Sequence, residues 1–338
     1  MQQSFLDPTT LRAVDSVPLA GTTPAWLDRT RVHDHMQNAR ANGYEVPSDV
    51  ETYLYHKRCL VTYEDDAYVT LAGLLCFGYD PQALFPRAVV DIGHYRGMQT
   101  LSHDVVHLEK DISGTVFDQL ARVETYLWTN THHGMTLSEE QLQRVPVHEY
   151  PRAVIRELIV NMLAHRDYTN AQSVARVQKF RDRIEWISPG SLPPGITVDN
   201  ILAEQASRNP VLLSILYEAG YGEGVGQGLD TVVATLHQEG LKPPQFYDTG
   251  ASFIVTVAGR PQEQFAGDGG YARLNTRQQE LLTYLRDHGP LTRKQLAQIF
   301  QETDRTLQRD LRAMQDANLI ESSGKHGRSV LYSVRDPM

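Results

Sequence analysis

Apolar side chains recur at helical spacing in several stretches of the chain. Over Thr115–Thr131, Val116, Leu120, Val123 and Leu127 fall on one face, the pattern of an amphipathic helix. The same reading predicts helices over 26–41, Asp49–Lys57, Tyr150–His165, Pro210–Glu218 and Leu229–Glu239. Short β-rich runs predict strands at Leu60–Tyr63, Ala67–Leu71, Ala88–Tyr95 and Ser252–Val257. Ser173–Phe180 and Arg183–Ile187 read as a hairpin turning at Arg181-Asp182, and LAGLLCFG (71–78) as a buried apolar segment. Residues 1–25 have no clear period and read as an arm or irregular lead-in. The stretch 259–272 is polar and glycine-rich, as a linker should be.

After residue 272 the pattern shortens. RQQELLTYLRDHG (277–289), LTRKQLAQIF (291–300) and TDRTLQRDLRAMQDANLI (303–320) each carry a short apolar stripe, in the last one Leu307, Leu311 and Met314. A hairpin follows, with Lys325-His326-Gly327-Arg328 at its tip. Three helices and a β-wing predict a winged helix. Arg305, Gln308, Arg309 and Arg312 lie outside the stripe of the third helix, and Lys325 and Arg328 sit on the wing. Arginine can bind phosphates or guanine edges and glutamine can read adenine, so these six residues are expected to contact double-stranded DNA. The bland alternative is a winged helix used for protein contacts. The stretch RTLQRDLRAMQDANLI closely resembles the helix-turn-helix of DeoR-type regulators, a likeness that covers residues 274–334.

Charge sharpens this picture. The chain carries a net −9, yet residues 271–338 hold 11 Lys/Arg against 8 Asp/Glu, so a small basic module is attached to an acidic body. At 338 residues, 41% hydrophobic and 22% charged, the composition is that of a globular protein of two or three domains. No apolar run approaches the roughly 20 residues that span a bilayer. The N-terminal residues lack a basic region followed by an apolar one. Cys59 and Cys76 form no metal-type cluster, so a cytoplasmic protein without a structural disulfide is expected. His103 and His107 have i, i+4 spacing, but HDVVHLEKDI reads as loop and strand with no third ligand nearby, and these histidines, like His132-His133, are read as surface residues. Neither a P-loop nor a G-x-S-x-G elbow is present.

Candidate chemistry concentrates in the middle. In RELIVNMLAHRDY (156–168), Glu157, Asn161 and His165 share one helix face, opposite Leu158, Ile159, Met162 and Leu163. A carboxylate and an amide one turn apart can hold a hydrated Mg²⁺ and polarise a water. Read alone, the stripe is as well explained as a solvated face. Downstream, Gly222, Gly224, Gly226 and Gly228 alternate just before a helix, where bare backbone and a helix N-terminus suit phosphate. Between them lies RIEWISPGSLPPGI (183–196), with Gly190 and Gly195.

This order resembles the GHKL ATPases, the group of histidine kinases, gyrase and Hsp90. More specifically, LAGLLCFGYDPQALFP (71–86), RELIVNMLAHRDY, EWISPGSLPPG, SRNPVLL (207–213) and the closing strand resemble the RecG-related or Schlafen-AlbA-associated ATP-binding regulators, over roughly 60–258. The resemblance implies an α/β (α+β) fold: a Bergerat-type GHKL sandwich holding ATP and Mg²⁺, with a flanking N-terminal α/β region and a C-terminal winged-helix domain. The expected division is 1–60, 61–148, 149–258, a linker at 259–272, and 273–338. Carried over residue by residue, Asn161 would hold Mg²⁺ and Glu157 would orient water if ATP is hydrolysed. Arg166 and Asp167 would sit near the phosphates or brace the site. Gly190 and Gly195 would shape the adenine pocket, and Gly224, Gly226 and Gly228 would contact phosphates. Ser188 stands where GHKL proteins usually have an aspartate reading the adenine amino group, and can accept that hydrogen bond more weakly. About 60 residues precede the matching region, so the Schlafen-type AlbA domain common in such proteins is expected to be absent. Without a P-loop, helicase motor chemistry is not supported.

Three functions follow as expectations. The first is a nucleotide-responsive transcriptional regulator that binds operator DNA as a homodimer. The second is an ATPase driving a DNA-repair or defence complex, docked by its winged helix. The third is a binding module that has lost nucleotide affinity.

Overall fold

The computed structural model describes residues 13–137, 144–204, 206–222, 228–261, 265, 275–300, 302–316, 319–323 and 330–334. Two compact units emerge: residues 1–131 with 150–259, and residues 132–149 with 260–338.

In the first unit, α1 (Arg29–Ala41) and α2 (Val50–His56) are followed by the antiparallel pair β1 (Leu60–Tyr63) and β2 (Asp66–Val69) and by α3 (Leu71–Phe77), whose seven residues are all buried. Then come β3 (Val90–Tyr95), β4 (Val105–Ile112) and α4 (Val116–Thr129). α4 opens on a capping box: Thr115 Oγ1 accepts from the Asp118 N–H, and Asp118 accepts from the Thr115 N–H at 2.9 Å. The hairpin of β5 (His133–Leu137) and β6 (Arg144–His148) belongs to the second unit. The chain returns with α5 (Arg152–Ala164), β7 (Ala175–Lys179), β8 (Arg183–Pro189), α6 (Pro210–Glu218), α7 (Gly228–Gln238), β9 (Gln245–Asp248) and β10 (Ser252–Ala258).

Among the described residues six strands form one mixed sheet, in the order β4-β3-β7-β8-β10-β9. Only β3 and β7 run parallel; the other neighbours are antiparallel. The fold class is therefore mixed α/β, and the sheet takes strands from both sides of residue 148. α5 packs against β8, α4, α6 and α7, and its apolar residues Val154, Ile155, Leu158, Ile159, Met162 and Leu163 lie in the main core with Val177, Ile184 and Trp186.

The stretch before residue 60 is not a free arm over the described residues. Leu27, Val32, Met36, Tyr53 and Leu54 are part of the same core. Asp15 is fully buried and accepts a 2.9 Å hydrogen bond from the N–H of Leu212 in the first turn of α6. At the other end of α6, Glu218 accepts from the Tyr53 hydroxyl at 3.0 Å, pairs with Lys57, and has its carbonyl bonded by the Asn42 amide at 2.9 Å. Both ends of α6 are thus tied to the N-terminal segment.

The second unit carries the β5–β6 hairpin, with His133 opposite His148 and their Nδ1 atoms 2.9 Å apart. Phe265, the buried residue described within the expected linker, stacks on His132. α8 (Thr276–His288), β11 (Leu291–Thr292), α9 (Arg293–Phe300), α10 (Asp304–Asp316), β12 (Ile320–Ser323) and β13 (Leu331–Val334) follow. Three helices and an antiparallel β11-β13-β12 sheet enclose a core of Leu281, Leu285, Leu296, Leu307, Leu311, Met314 and Ile320, the layout of a winged helix. Asp310, buried on α10, accepts from Arg277 Nε at 2.7 Å and Gln278 Nε2 at 3.0 Å, joining α10 to α8.

Candidate functional site

The Glu157–Asn161–His165 stripe is not a solvated face. Glu157 is buried, and Asn161 Nδ2 donates to Glu157 Oε1 at 2.8 Å and to the Glu157 carbonyl at 2.9 Å. Both partners are oxygens, so the amide nitrogen must face them, and Asn161 Oδ1 is left as an acceptor. Gly228, the first residue of α7, packs so closely here that a Cβ would collide with Glu157 Oε1 and stand 3.1 Å from Asn161 Nδ2. A Cβ on Gly222, at φ +114°, would meet the Tyr217 ring and lie 3.4 Å from Glu157 Oε2. The ends of the glycine-rich stretch therefore close on the carboxylate. Gly224 and Gly226 lie outside the described residues.

Beside this cluster is a cavity of about 300 Å³, the lower end of the range for small-molecule sites. Its wall is mostly apolar, with Leu158, Met162, Ile196, Leu213, Tyr217 and Val255. Asn161, His165, Ser188, Gly190 and Gly228 also line it. Ser188 on β8 is buried, and its hydroxyl donates to the Met162 carbonyl at 2.8 Å. With its proton spent, Ser188 Oγ can only accept from a ligand, which is what an adenine amino group requires. The wall of glycines and apolar side chains beside one acceptor fits an adenine base. Asn161 Oδ1 fits one protein oxygen of a Mg²⁺ that takes its remaining ligands from phosphates and water.

Gly190 has φ +103°, and a Cβ there would lie 2.8 Å from Asp167 Cβ and 3.4 Å from Arg208 Nη2. Glycine is required for both reasons. Gly195 has φ +88° but open space around it, so it shapes the loop and not a contact. Asp167 accepts from the Thr169 N–H and hydroxyl at 3.0 and 2.6 Å, closing its own turn, and lies 3.9 Å from Arg208.

Arg166 is 1% exposed and does not line the cavity. Its guanidinium donates to the carbonyls of Val89 (2.8 Å), Arg87 and Ser173 (3.3 Å) and lies over the Tyr168 ring. Of the two roles the resemblance offered, this geometry is that of a brace. Arg208 does not line the cavity either, but it donates at 2.7 Å to the carbonyl of Ser191, a residue that does. Arg208 escaped notice in the sequence because the loop that returns it to Gly190 has no local periodicity. His165 also belongs to the wall. Burial, with Arg208 nearby, pushes its pKa down to about 4, so the ring is neutral at pH 7.

On α10, Arg305, Gln308, Arg309 and Arg312 are exposed and line one surface groove with Thr303 and Thr306. None of the four has an ion pair or hydrogen bond among the described residues, whereas Arg277 and Arg293 do. Lys325 and Arg328 lie outside the described residues. His103 and His107 fall on a 3-10 turn and on β4, with His107 stacked on Tyr126.

Residues 173–257 match the family model described as the putative ATP-dependent DNA helicase recG C-terminal region, and residues 277–331 match the DeoR-like helix-turn-helix domain. No curated protein matches the chain. The crystal structure of the DIP2311 protein from Corynebacterium diphtheriae resembles this fold with a TM-score of 0.60 at 19% identity, over 95% of this chain and 64% of that one. The chain thus spans less than two thirds of that protein's length. Among the described residues no helix is long and apolar enough to cross a membrane. The chain therefore carries a recG C-terminal-type, ATPase-like segment at 173–257 and a DeoR-like helix-turn-helix domain at 277–331.

Proposed function

We propose that this protein is an ATP-binding, DNA-binding transcriptional regulator in which nucleotide occupancy modulates the winged helix. The observation that carries the reading is the convergence of Asn161, Glu157 and Gly228 at one end of an apolar cavity with Ser188 in its wall. In this reading Ser188 accepts the adenine amino group, and Gly190 and Gly195 shape the loop over the base. Asn161 holds Mg²⁺ through Oδ1; the ion, when bound, neutralises phosphate charge. Gly224, Gly226 and Gly228 offer backbone to the phosphates at the start of α7, where a helix favours anions. Gly222 and Gly228 rest against Glu157, and in this reading nucleotide binding changes how the glycine-rich segment between them is held. That change is the proposed switch.

The output is double-stranded DNA, gripped by Arg305, Gln308, Arg309 and Arg312 with Lys325 and Arg328, by a homodimer in the cytoplasm. The expected domain division at 60, 148 and 258 is retained as a functional one. A second reading has its own support. Asn161 aims the buried Glu157 carboxylate, which suits a residue that orients water in an ATPase serving a DNA-repair or defence complex.

Calorimetry of ATP with Mg²⁺ on the full chain tests the core claim. Tight binding that is lost in Asn161→Ala is expected; no binding to the wild type would overturn it. A Glu157→Gln variant that binds ATP normally and no longer turns it over would favour the ATPase reading.

A further inference from the structure

Between its two compact units the chain passes three times, at 131–132, 149–150 and 259–260. On the first unit's side these passages leave from separate elements. Thr131 follows α4, and its hydroxyl donates to the Trp128 carbonyl at 3.2 Å. Tyr150 is buried in the main core just ahead of α5. Gly259 follows β10 and donates its N–H at 3.1 Å to the carbonyl of Asp182, in the turn between β7 and β8.

On the second unit's side the passages converge. The first residues there are His132, Glu149 and Arg260, and Glu149 binds both of the others. Its carboxylate is fully buried, and Oε2 accepts from the His132 N–H at 2.9 Å and lies 2.6 Å from His132 Nδ1. A carboxylate can only accept, so His132 Nδ1 carries the proton of that bond. The Glu149 N–H donates to the His132 carbonyl at 2.8 Å, and the Glu149 carbonyl accepts from the Arg260 N–H at 3.0 Å. Arg260 Nε adds a bond to the His148 carbonyl at 3.1 Å. The His132 ring, held by the carboxylate, is the surface on which buried Phe265 stacks. Phe265 is also packed against β5, since a Cβ on Gly134 would lie 3.3 Å from its ring. One carboxylate therefore fixes a ring that in turn fixes the chain leading to the winged helix.

We propose, granted that nucleotide regulates DNA binding, that Glu149 is the positioning residue of the joint through which that regulation passes. Tyr150-Pro151 connects it directly to α5, which carries Glu157 and Asn161. Because His132, Glu149 and Arg260 are bonded to one another, a displacement of α5 is shared by all three passages and by Phe265. Without the carboxylate each passage yields separately and the displacement is dissipated. Contiguous hydrogen bonds and packed rings of this kind are what carry coupling between distant sites.

The test measures the affinity of the full chain for a short mixed-sequence DNA duplex, with and without ATP and Mg²⁺. Glu149→Gln keeps the size and one acceptor for the His132 N–H but loses the charge that holds the imidazole. His132→Phe keeps the stack on Phe265 and loses the imidazole bond. Nucleotide should change the wild-type affinity by about fivefold or more. In each variant that factor should fall below about twofold, the double variant losing nothing further because both act through one bond. ATP binding by calorimetry and DNA affinity without nucleotide should stay at wild-type values. Hydrogen exchange on the wild type needs no variant to fold: the amides of His132, Glu149 and Arg260 should change protection together when ATP and Mg²⁺ bind.

A wild-type factor that persists in both variants would overturn the joint and leave regulation standing. So would nucleotide-induced changes in exchange that bypass these three amides. A wild-type DNA affinity that ignores ATP would remove regulation itself, and the joint with it.

Discussion

Glu157 and Asn161 are joined side chain to side chain and roofed by Gly228, so there is no room at position 228 for even a methyl group. Gly228→Ala should push α7 off the stripe, lowering the midpoint of thermal unfolding and abolishing ADP binding; normal binding by this variant would refute the packing. Gly190 is constrained twice, by φ +103° and by Asp167 at 2.8 Å. Gly190→Ala should cost more than the roughly 1 kcal/mol of an unstrained glycine replacement, measured by urea unfolding. His165 adds a pH dependence whose sign is fixed. Its folded pKa is near 4 and its unfolded value near 6.5, so between these limits the unfolded chain binds more protons. The His165 contribution to stability is complete above about pH 6.5 and is lost as pH falls toward 4. Asp15 acts oppositely: burial raises its pKa, so its penalty eases as pH falls through the acid range. Denaturation at pH 7.5 and 5 isolates the histidine, since the difference in stability should shrink in His165→Asn.

Among the elements, α6 shows most plainly how distant sequence builds the pocket. It supplies Leu213 and Tyr217 to the cavity, yet its ends are held by Asp15, Asn42, Tyr53 and Lys57. Asp15→Ala removes a side-chain acceptor from the helix start and should cost about 1–2 kcal/mol. It should also weaken ADP, because Leu213 and Tyr217 would lose their fixed position; a stability loss with unchanged affinity would show that the clamp is structural only. In the winged helix the equivalent joint is Arg277–Asp310, with Asp310 only 1% exposed. Asp310→Ala would strand the arginine, although its partial exposure limits the penalty to about 3 kcal/mol, the low end for a broken buried pair. Loss of α8–α10 helicity by circular dichroism, with the cavity still binding ADP, is the expected result.

For the whole molecule the prediction concerns coupling. Arg305, Arg309 and Arg312 are exposed and lack partners among the described residues, so their charge is available to phosphate. Each arginine that contacts a backbone phosphate should, when changed to alanine, reduce the slope of log affinity against log salt by about one. If the nucleotide regulates the winged helix, adding ATP and Mg²⁺ must change operator affinity, and operator DNA must change ATP affinity by the same factor. Equal DNA affinity with and without nucleotide would refute regulation while leaving both binding activities intact. The acidic body, against a net −9 overall, confines DNA contact to the small basic module and should keep nonspecific binding weak.

What the chain determines locally was legible from its residues. The helix over 152–164, the β7–β8 hairpin, α6 and the three short helices of the C-terminal module all follow from apolar spacing of 3.6 or 2, because those signals need only near neighbours. The Glu157–Asn161 pair was legible for the same reason, being one turn apart. The strand β9 and the packing of residues 13–57 were not, since their structure comes from partners far along the chain: β9 is paired to β10, and Asp15 meets Leu212. Spacing could not say whether the polar stripe of α5 faced water or a cavity, nor that Arg166 spends its charge on carbonyls of Arg87 and Val89 while Arg208 holds the Ser191 carbonyl of the cavity wall. Those outcomes depend on which surfaces close over one another. Burial and the pairing of polar groups are properties of the folded neighbourhood, and only tertiary structure decides them.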